Sequence, residues 1–431
     1  MSDMRYVITK YKNGELSFVW NVKNNKMESV VFTHSDENIG SAKIGDIFVA
    51  KVKNVAKQIN AAFIDYAPNK KGYLPINTDY APMITNRQYD GRILAGDEIL
   101  VQLEKEAVRT KEPVFTTDLS LAGKYSVITY GNTYKGVSKK CSKLEREQLR
   151  AVIPQAIDYG VVIRTNAVSL LHPSEEDTAY TSVTKVTADI LSSALQPDRT
   201  EYLKSLQPVR DEIQYLNDKM STLLREGIHR TCYSRIWNAA PSYLTNMRDE
   251  GAAYQQILTD DPQIYGEIKD FAALYMPDQL DRISLYQDDT YPLQKLYRVE
   301  TQLDELLTKK VWLKSGAYLV IEKTEAMYVI DVNSGKNIAK KDTAEYIYQI
   351  NLEAADEIMR QIRLRNLAGM ILVDFINMED SEKDLALLQE LKILAKKDRI
   401  LTTIVDITAL GLVEITRKKT TKSLAEQLNH F

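Results

Sequence analysis

The chain has 431 residues, too many for one ordinary hydrophobic core, and its length predicts about two to four domains. With 44% hydrophobic and 27% charged residues, the composition is typical of a soluble globular protein, so disorder is not the expectation. The net charge of −3 argues against a protein that coats nucleic acid through a large basic excess.

The sequence contains no membrane or secretion signal. No segment approaches the roughly 20 apolar residues that span a bilayer, and the first residues lack the apolar core of a signal peptide. We therefore expect a cytoplasmic protein without a membrane segment. The two cysteines, Cys141 and Cys232, have no metal-ligand spacing and predict neither a disulfide framework nor a zinc site.

The first 119 residues are rich in strand signals. Residues 1–38 predict strands with a hairpin turn at Asn13-Gly14. Residues 39–119 contain five short alternating runs, which predict a small closed barrel that resembles an S1-type OB-fold. Phe63 and Tyr73, with lysines nearby, suit base stacking in a positive groove, which is how such barrels bind single strands. The alternative is that both rings belong to the core.

Residues 120–205 include Arg164 and Thr165, which directly follow an apolar strand. An arginine beside a hydroxyl suits phosphate binding, although a surface salt bridge explains the pair equally well. From Ser205 to Glu226, apolar residues recur at helical spacing and predict an amphipathic helix. The segment that follows, to about Leu293, mixes helix and strand and carries no catalytic signal.

The region after residue 300 is the most informative. Two apolar runs end in Asp331 and Asp374, with a predicted helix between them that starts near a capping box at Asp342 and Glu345. A strand–helix–strand crossover makes the two strands parallel, so both carboxylates should lie at one sheet edge, where a divalent cation such as Mg²⁺ could bind.

Three further residues bear on this edge. Asn333, two residues after Asp331, should share its face of the strand. Gly369 is expected to stop the helix before the second strand. A third apolar run ends in Asp406 and predicts another carboxylate in the same region. The alternative interpretation is that these aspartates are ordinary turn or cap residues, which commonly follow buried strands.

These residues carry a family resemblance. The strings TEAMYVIDVNSGK, NLEAADEIMRQIRLRNLAGMILVDFINM and GLVEITRKK resemble the bacterial ribonuclease E/G family of endoribonucleases. The likeness is dense over Thr324 to Lys419 and continues at lower density through AAFIDYAPNKKGYLPI and SLAGKYSV, so it covers most of the chain.

The resemblance implies a multidomain α/β and α+β fold. An RNase H-like scaffold would be split between residues 1–38 and 206–300, with an inserted S1 (OB-fold) RNA-binding domain over 39–119 and a 5′-sensor-like domain over 120–205. A DNase I-like catalytic domain would occupy residues 301–431.

The resemblance also implies a cytoplasmic, Mg²⁺-dependent enzyme that cleaves single-stranded RNA internally and leaves 5′-phosphate and 3′-hydroxyl ends. By position, Asp331 and Asp374 are the expected Mg²⁺ ligands, and Asn333 is the residue expected to orient the scissile phosphate. The remaining implied residues are Phe63, Tyr73, Lys105 and Lys111 for RNA binding, and Gly123, Val127, Arg164 and Thr165 for sensing a 5′-phosphate.

Several positions depart from the family pattern. Leu401 occupies the place of a further arginine of the 5′-phosphate pocket, which predicts a weak preference for 5′-monophosphate ends. Asn377 replaces an aspartate and Asp406 a histidine. The two-cysteine motif through which family members share zinc does not occur before Phe431, so a zinc-linked dimer is not expected and other homo-oligomers stay open.

Two alternative functions deserve comparison with an endoribonuclease. A non-catalytic S1-type RNA-binding protein would not need the paired carboxylates. A metal-dependent phosphatase or DNA nuclease would fit the catalytic segment but would leave the S1-like barrel without a purpose. The sequence therefore favours an enzyme of RNA decay or ribosomal RNA processing.

Overall fold

A computed structural model describes residues 3–34, 42–77, 79–107, 111–171, 204–251, 254–288, 290–335, 343–378 and 380–428. In this part of the chain the contacts define two compact units. The first is formed by Asp36–Ala253 and Asp270–Leu280, and the second by Asp3–Ser35, Tyr254–Lys269 and Asp281–Phe431. None of the described helices is long and apolar enough to cross a membrane.

The described elements follow one another along the chain as a mixture of strands and helices. The strands are β1 (Met4–Tyr11), β2 (Gly14–Asn21), β3 (Lys26–His34), β4 (Ile47–Ala56), β5 (Ala61–Ala67), β6 (Lys70–Pro75), β7 (Glu98–Lys105), β8 (Val114–Thr116), β9 (Leu119–Ala122), β10 (Ser126–Tyr130), β11 (Lys135–Val137), β12 (Gly160–Ile163), β13 (Arg235–Trp237), β14 (Gln256–Thr259), β15 (Ile283–Leu285), β16 (Lys310–Trp312), β17 (Tyr318–Lys323), β18 (Met327–Asn333), β19 (Gly369–Asp374), β20 (Thr402–Ile407) and β21 (Leu412–Arg417). The helices are α1 (Lys143–Arg150), α2 (Gln207–Gly227), α3 (Ser242–Asp249), α4 (Pro262–Tyr275), α5 (Leu293–Leu296), α6 (Val299–Leu307), α7 (Thr343–Leu364), α8 (Ser381–Lys396) and α9 (Leu424–Leu428).

The first unit contains a closed barrel. Strands β4, β5, β6, β8 and β7 pair in that order, and β7 pairs back to β4. Because successive side chains of a strand lie on opposite faces, alternate residues such as Ile64, Leu74 and Phe115 fill the interior. The predicted five-stranded barrel is thereby confirmed. Its fifth apolar run is divided, however, because β8 closes the barrel whereas β9 joins a different sheet.

The second sheet of this unit has the strand order β11-β12-β10-β9. Helix α2 contributes Val209, Ile213 and Leu216 to the core it shares with Ile128 of β10 and Val161 of β12. These helix residues recur at three- and four-residue spacing, so one stripe of α2 is buried and the opposite side is polar. The amphipathic helix predicted over Ser205 to Glu226 is confirmed within two residues at either end.

The second unit begins with an antiparallel hairpin. Strands β1 and β2 pair from Met4 with Asn21 to Tyr11 with Gly14, which confirms the turn predicted near Asn13-Gly14. Lys12 adopts a left-handed φ of 52° in this turn. The sheet has the order β15-β14-β1-β2-β3, and β14 runs parallel to β1. Residues near the beginning of the chain therefore share a sheet with residues some 250 positions later.

The other sheet of this unit carries the paired aspartates. Its order is β16-β17-β18-β19-β21-β20, and β18 and β19 are parallel, as the crossover predicts. Its buried side chains, such as Ile330 and Val373, pack in one cluster with Ile358 of α7 and Leu391 of α8. Both helices thus cover one face of the sheet. The alternate residues of β18 and β19 lie on the other face, which we call the open face.

The end of α7 differs from the expectation for Gly369. The helix ends at Leu364, and Asn366 adopts a left-handed φ of 49° while the Leu367 amide donates to the Ile362 carbonyl. Asparagine tolerates this conformation better than most residues, so it acts as the C-terminal cap. Gly369 instead begins β19. The predicted capping box includes Asp342, which lies outside the described residues.

Candidate active site

The two aspartates lie side by side on the open face. Asp331 of β18 and Asp374 of β19 are direct partners in the parallel pairing. Neighbouring strands lie about 4.8 Å apart, so the two carboxylates are adjacent. Both side chains are exposed, whereas the residues before them, Ile330 and Val373, are fully buried. The strand alternation therefore anchors each aspartate through its buried neighbour and presents both carboxylates to solvent.

Asn333 is in contact with this pair. Its Nδ2 donates a hydrogen bond to Asp331 Oδ2 at 2.6 Å. The two residues are two positions apart on β18, which places them on the same face, as the sequence predicts. The bond fixes the orientation of the Asp331 carboxylate and leaves its second oxygen available for another ligand.

Asp406 reaches the same edge at a greater distance. Strand β21 lies between β19 and β20, so Asp406 is separated from Asp374 by about two strand spacings, ~10 Å. Its carboxylate accepts the backbone N–H of Ile407 in an irregular part of β20. Over the described residues, no three His, Cys, Asp or Glu side chains form a group that could hold a metal ion. Two adjacent carboxylates nevertheless fit Mg²⁺, which binds through one or two carboxylates together with water and phosphate oxygens.

Asn351 supports this site from the helix-covered side of the sheet, and it is not among the site residues predicted from the sequence. It is fully buried on α7, where its Nδ2 donates to the Ile376 carbonyl at 2.7 Å and its Oδ1 accepts the Ile376 amide at 3.1 Å. These two bonds hold the backbone just after Asp374. A polar residue between Ile350 and Leu352 in the apolar stripe of the helix was the available signal in the sequence.

The predicted RNA-binding residues of the barrel lie along one row on its outer surface. Phe63 pairs with Tyr73, Tyr73 with Val114, and Val114 with Lys105. The Phe63 and Tyr73 ring centroids are 6.0 Å apart, and Phe63 is 39% exposed. The alternative that Phe63 belongs to the core is therefore wrong. Lys111 is exposed in the segment that leads into β8.

The predicted 5′-phosphate residues come together around a turn between β9 and β10. Arg164 Nη1 donates to the Gly123 carbonyl at 2.6 Å and to Asp249 Oδ1 at 2.7 Å. Val127 lies on β10 beside β12, and Thr165 is exposed directly after Arg164. The guanidinium of Arg164 is thus already paired with a carboxylate of the same unit.

A second carboxylate occupies the backbone amides of this turn. Glu212 of α2 accepts the N–H groups of Lys124, Tyr125 and Ser126 at 2.6–2.8 Å and the Ser126 hydroxyl at 2.8 Å. A Cβ at Gly123 would lie only 2.2 Å from the Glu212 carboxyl carbon, so this close approach requires glycine. The Glu212 carboxylate is therefore bound by backbone amides that could otherwise bind an external anion.

The charges around Arg164 also set the ionisation of its partner. Burial alone would raise the pKa of Asp249, but the hydrogen bond from Arg164 and the nearby charges of Arg248 and Arg164 outweigh it and lower this pKa below its ordinary value. Asp249 is therefore ionised near neutral pH and remains paired with Arg164.

Comparisons with known proteins find relatives that match most of the chain. A model of the Ribonuclease E/G family matches residues 199–420, just over half of the chain. Ribonuclease G of Haemophilus influenzae is 30% identical over 409 residues, which cover 92% of this chain and 76% of that protein. Ribonuclease G of Escherichia coli is 29% identical with the same coverage. Ribonuclease E of Escherichia coli is 30% identical over 404 residues, which cover 90% of this chain and 34% of that protein.

Proposed function

Because the chain belongs to the ribonuclease E/G family, we propose that it is a Mg²⁺-dependent endoribonuclease. It cleaves single-stranded RNA to leave 5′-phosphate and 3′-hydroxyl ends, and acts in RNA decay or ribosomal RNA processing in the cytoplasm. The observation that carries the proposal is the adjacent, exposed pair Asp331 and Asp374 on parallel strands. A protein that only bound RNA would have no need of two neighbouring, exposed carboxylates.

In this mechanism Asp331 and Asp374 hold Mg²⁺, which supplies positive charge to stabilise the phosphoryl transition state. The hydrogen bond from Asn333 fixes the Asp331 carboxylate, and its amide is placed to orient the scissile phosphate. Asn351 fixes the backbone after Asp374. No protein nucleophile is required, because water attacks the phosphorus atom in line with the leaving oxygen.

The barrel supplies the affinity for single strands in this proposal. Bases stack on Phe63 and Tyr73, while Lys105 and Lys111 contact phosphates. We assign residues 39–119 to an S1 domain and 120–205 to a 5′-sensor-like domain. The RNase H-like scaffold over 1–38 and 206–300 and the DNase I-like domain over 301–431 complete the proposed architecture.

We further propose that cleavage depends little on the 5′ end of the RNA. Leu401 replaces an arginine expected in the 5′-phosphate pocket. In addition, Asp249 pairs with Arg164 and Glu212 occupies the amides after Gly123. A 5′-phosphate would have to displace two carboxylate groups of the protein, so binding it brings little net gain. Equal cleavage of 5′-monophosphate and 5′-hydroxyl RNA is expected, and a several-fold preference for the monophosphate would contradict this proposal.

The catalytic proposal is tested with end-labelled single-stranded and duplex RNA, in Mg²⁺ or EDTA. The parent protein should cut only the single strand and only with Mg²⁺. Asp331→Asn and Asp374→Asn should each lower the cleavage rate by more than about 100-fold. Even a substitution of a residue that hydrogen-bonds a metal ligand lowers activity by about 10–100-fold. Asp406→Asn, a matched change at the same sheet edge, should retain most activity.

Two outcomes would overturn parts of this proposal. Undiminished cleavage by either Asp331→Asn or Asp374→Asn would remove these residues from the metal site. A parent protein that binds single-stranded RNA without cutting it would instead be a non-catalytic S1-type RNA-binding protein.

A further inference from the structure

Three side chains beside the paired aspartates have no part in the mechanism above. They are Lys310, Trp312 and Tyr318. Trp312 of β16 pairs with Tyr318 of β17, which in turn pairs with Asn333 of β18. Trp312, Tyr318 and Asn333 therefore lie in one row on the open face. Lys310 lies in the next row, two strands from Asp331. Lys310 and Trp312 are therefore about two strand spacings, ~10 Å, from the strand that carries Asp331, and Tyr318 is on the strand next to it.

The three side chains contact one another closely. The Trp312 and Tyr318 ring centroids are 5.1 Å apart, and Lys310 Nζ lies 4.0 Å from the first and 3.7 Å from the second. These contacts hold the ammonium group over the rings instead of letting it swing freely in solvent. Trp312 is nevertheless 63% exposed, so a large part of its indole faces water.

We propose that this cluster, Lys310, Trp312 and Tyr318, binds one nucleotide of a single-stranded RNA substrate. Its base stacks on the exposed part of Trp312, and its phosphate is bound by the Lys310 ammonium group. This inference rests on the proposed function, because it requires the RNA strand to cross the open face to Asp331.

The chemistry of the cluster favours this ligand. Every base has a π-face, so stacking on an exposed aromatic ring is tolerant of sequence, and a neighbouring cation suits the phosphate that follows each base. The open face connects the cluster to Asn333 without an intervening helix, since α7 and α8 cover the opposite face. The bound nucleotide would lie near the cleaved bond but not at it.

Two other roles for the cluster are distinguishable. The Trp312–Tyr318 pair could serve only to stabilise the sheet, as cross-strand aromatic pairs do. In that case Trp312→Ala would lower the free energy of unfolding but would not change RNA affinity. An exposed tryptophan could also bind a second copy of the chain, which predicts a change in oligomeric state.

The test uses tryptophan fluorescence of the full chain, titrated with a short single-stranded RNA in EDTA so that no metal-dependent cleavage occurs. Of the three tryptophans, Trp20 is buried and Trp237 is half-buried. Quenching by RNA should therefore come mainly from Trp312 and should be largely lost in Trp312→Phe. Trp312→Ala and Lys310→Ala should bind about tenfold more weakly, whereas Lys310→Arg should retain affinity.

Matched controls lie on the helical side of the same sheet. Leu385→Ala and Lys392→Ala remove an exposed apolar and an exposed basic side chain from α8, and both should leave RNA affinity unchanged. Unaltered affinity in Trp312→Ala together with no quenching in the parent would overturn the inference. So would a change confined to thermal stability or to oligomeric state.

The same proteins, assayed separately for RNA cleavage in Mg²⁺, distinguish this inference from the proposed function. A parent protein that cleaves RNA without quenching of Trp312 keeps the function and loses the nucleotide subsite. Quenching in a parent that never cleaves RNA, together with weaker binding by Trp312→Ala, would leave the subsite in place and remove the nuclease.

Discussion

Asn351 illustrates how a single buried residue can hold the backbone beside a proposed metal ligand. It is fully buried, and both polar atoms of its amide bond to Ile376, two residues after Asp374. If one of these buried polar groups lost its partner, it would remain without a hydrogen bond away from water, which is unfavourable. The Asn351 amide and the Ile376 backbone therefore stabilise each other. The arrangement links the helix to the end of the strand that carries a proposed metal ligand.

Substitution of this residue should affect both stability and turnover. Asn351→Ala leaves the N–H and carbonyl groups of Ile376 without partners, and the free energy of unfolding should fall by about 1–3 kcal/mol. Because Asp374 becomes less well positioned, kcat on single-stranded RNA should fall more than KM rises. Denaturant unfolding and steady-state cleavage measure the two effects. Equal kcat in the parent and in Asn351→Ala would contradict a positioning role.

Gly123 and Glu212 show a second effect at the residue scale. Their contact joins positions 89 apart in sequence, so neither residue type alone signals it. The helical periodicity of α2 predicts its buried stripe, but it does not indicate that a polar residue beside that stripe accepts four hydrogen bonds. Such pairings depend on tertiary packing, which the sequence pattern does not contain.

At the scale of elements, a buried ion pair joins the end of β21 to two turns of the sheet that carries Asp331 and Asp374. Arg417, the last residue of β21, donates to Asp398 Oδ2 at 2.7 Å, to Asn366 Oδ1 at 2.7 Å and to the Leu367 carbonyl at 3.0 Å. The Arg417 and Asp398 side chains are both almost fully buried. The pair fixes the turns that precede β19 and β20.

Breaking this pair should be costly because it leaves an uncompensated buried charge. Arg417→Met should lower the free energy of unfolding by about 3–5 kcal/mol, measured by denaturant titration. Lys309→Met, which breaks the exposed pair with Glu322, is a matched control and should change it by less than about 1 kcal/mol. Similar losses in the two variants would contradict the assigned importance of burial.

Glu426 of helix α9 forms a hydrogen bond and ion pair with Lys323 of β17, and the pKa of its carboxyl group is shifted. Burial alone would raise the pKa of Glu426, but the hydrogen bonds and charge supplied by Lys323 and the Ser423 amide lower it to about 2. Its value in the unfolded chain is about 4.3. The folded state therefore gains stability from the ionised form above about pH 4.5 and loses this gain as the pH falls towards 2.

Glu426→Gln should consequently be less stable than the parent at pH 7, by about 1 kcal/mol because the pair is partly exposed. The difference should narrow between about pH 4.5 and 2, as measured by denaturant unfolding at several pH values. A difference that stays constant over this range would show that the charge of Glu426 does not contribute.

Element types in the sheet that carries Asp331 and Asp374 are largely predictable from sequence, whereas their order is not. Apolar runs and helical spacing indicate β18, α7 and β19, and the crossover rule makes the two strands parallel. The insertion of β21 between β19 and β20 separates Asp406 from the aspartate pair, and periodicity carries no information about which strands become neighbours. The division of the fifth barrel run between two sheets has the same cause.

At the scale of the whole molecule, net charge cannot attract RNA. The chain has 56 basic and 59 acidic side chains, so RNA must be drawn by local groups of lysines. Each phosphate contact to a single strand contributes about −0.7 to the slope of log affinity against log salt concentration. The proposed contacts of Lys105 and Lys111 therefore make a measurable contribution to this slope.

The double variant Lys105→Ala/Lys111→Ala should reduce the magnitude of the salt slope by about 1.4, measured by equilibrium binding of single-stranded RNA. Lys219→Ala/Lys392→Ala makes the same change in net charge at exposed helix positions and should leave the slope unaltered. An equal reduction in both variants would mean that overall charge, and not contact at the barrel, governs binding.

The parallel pairing of β1 with β14 has a consequence for synthesis on the ribosome. The Thr9 hydroxyl bonds to Asp260, 251 residues later in the chain. At about 5–20 residues per second, translation needs roughly 10–50 s to supply the second partner. During this interval the hairpin formed by β1 and β2 lacks its parallel neighbour, and an unpaired strand edge is prone to pairing with other chains. Chaperone dependence during translation should therefore be concentrated in this hairpin.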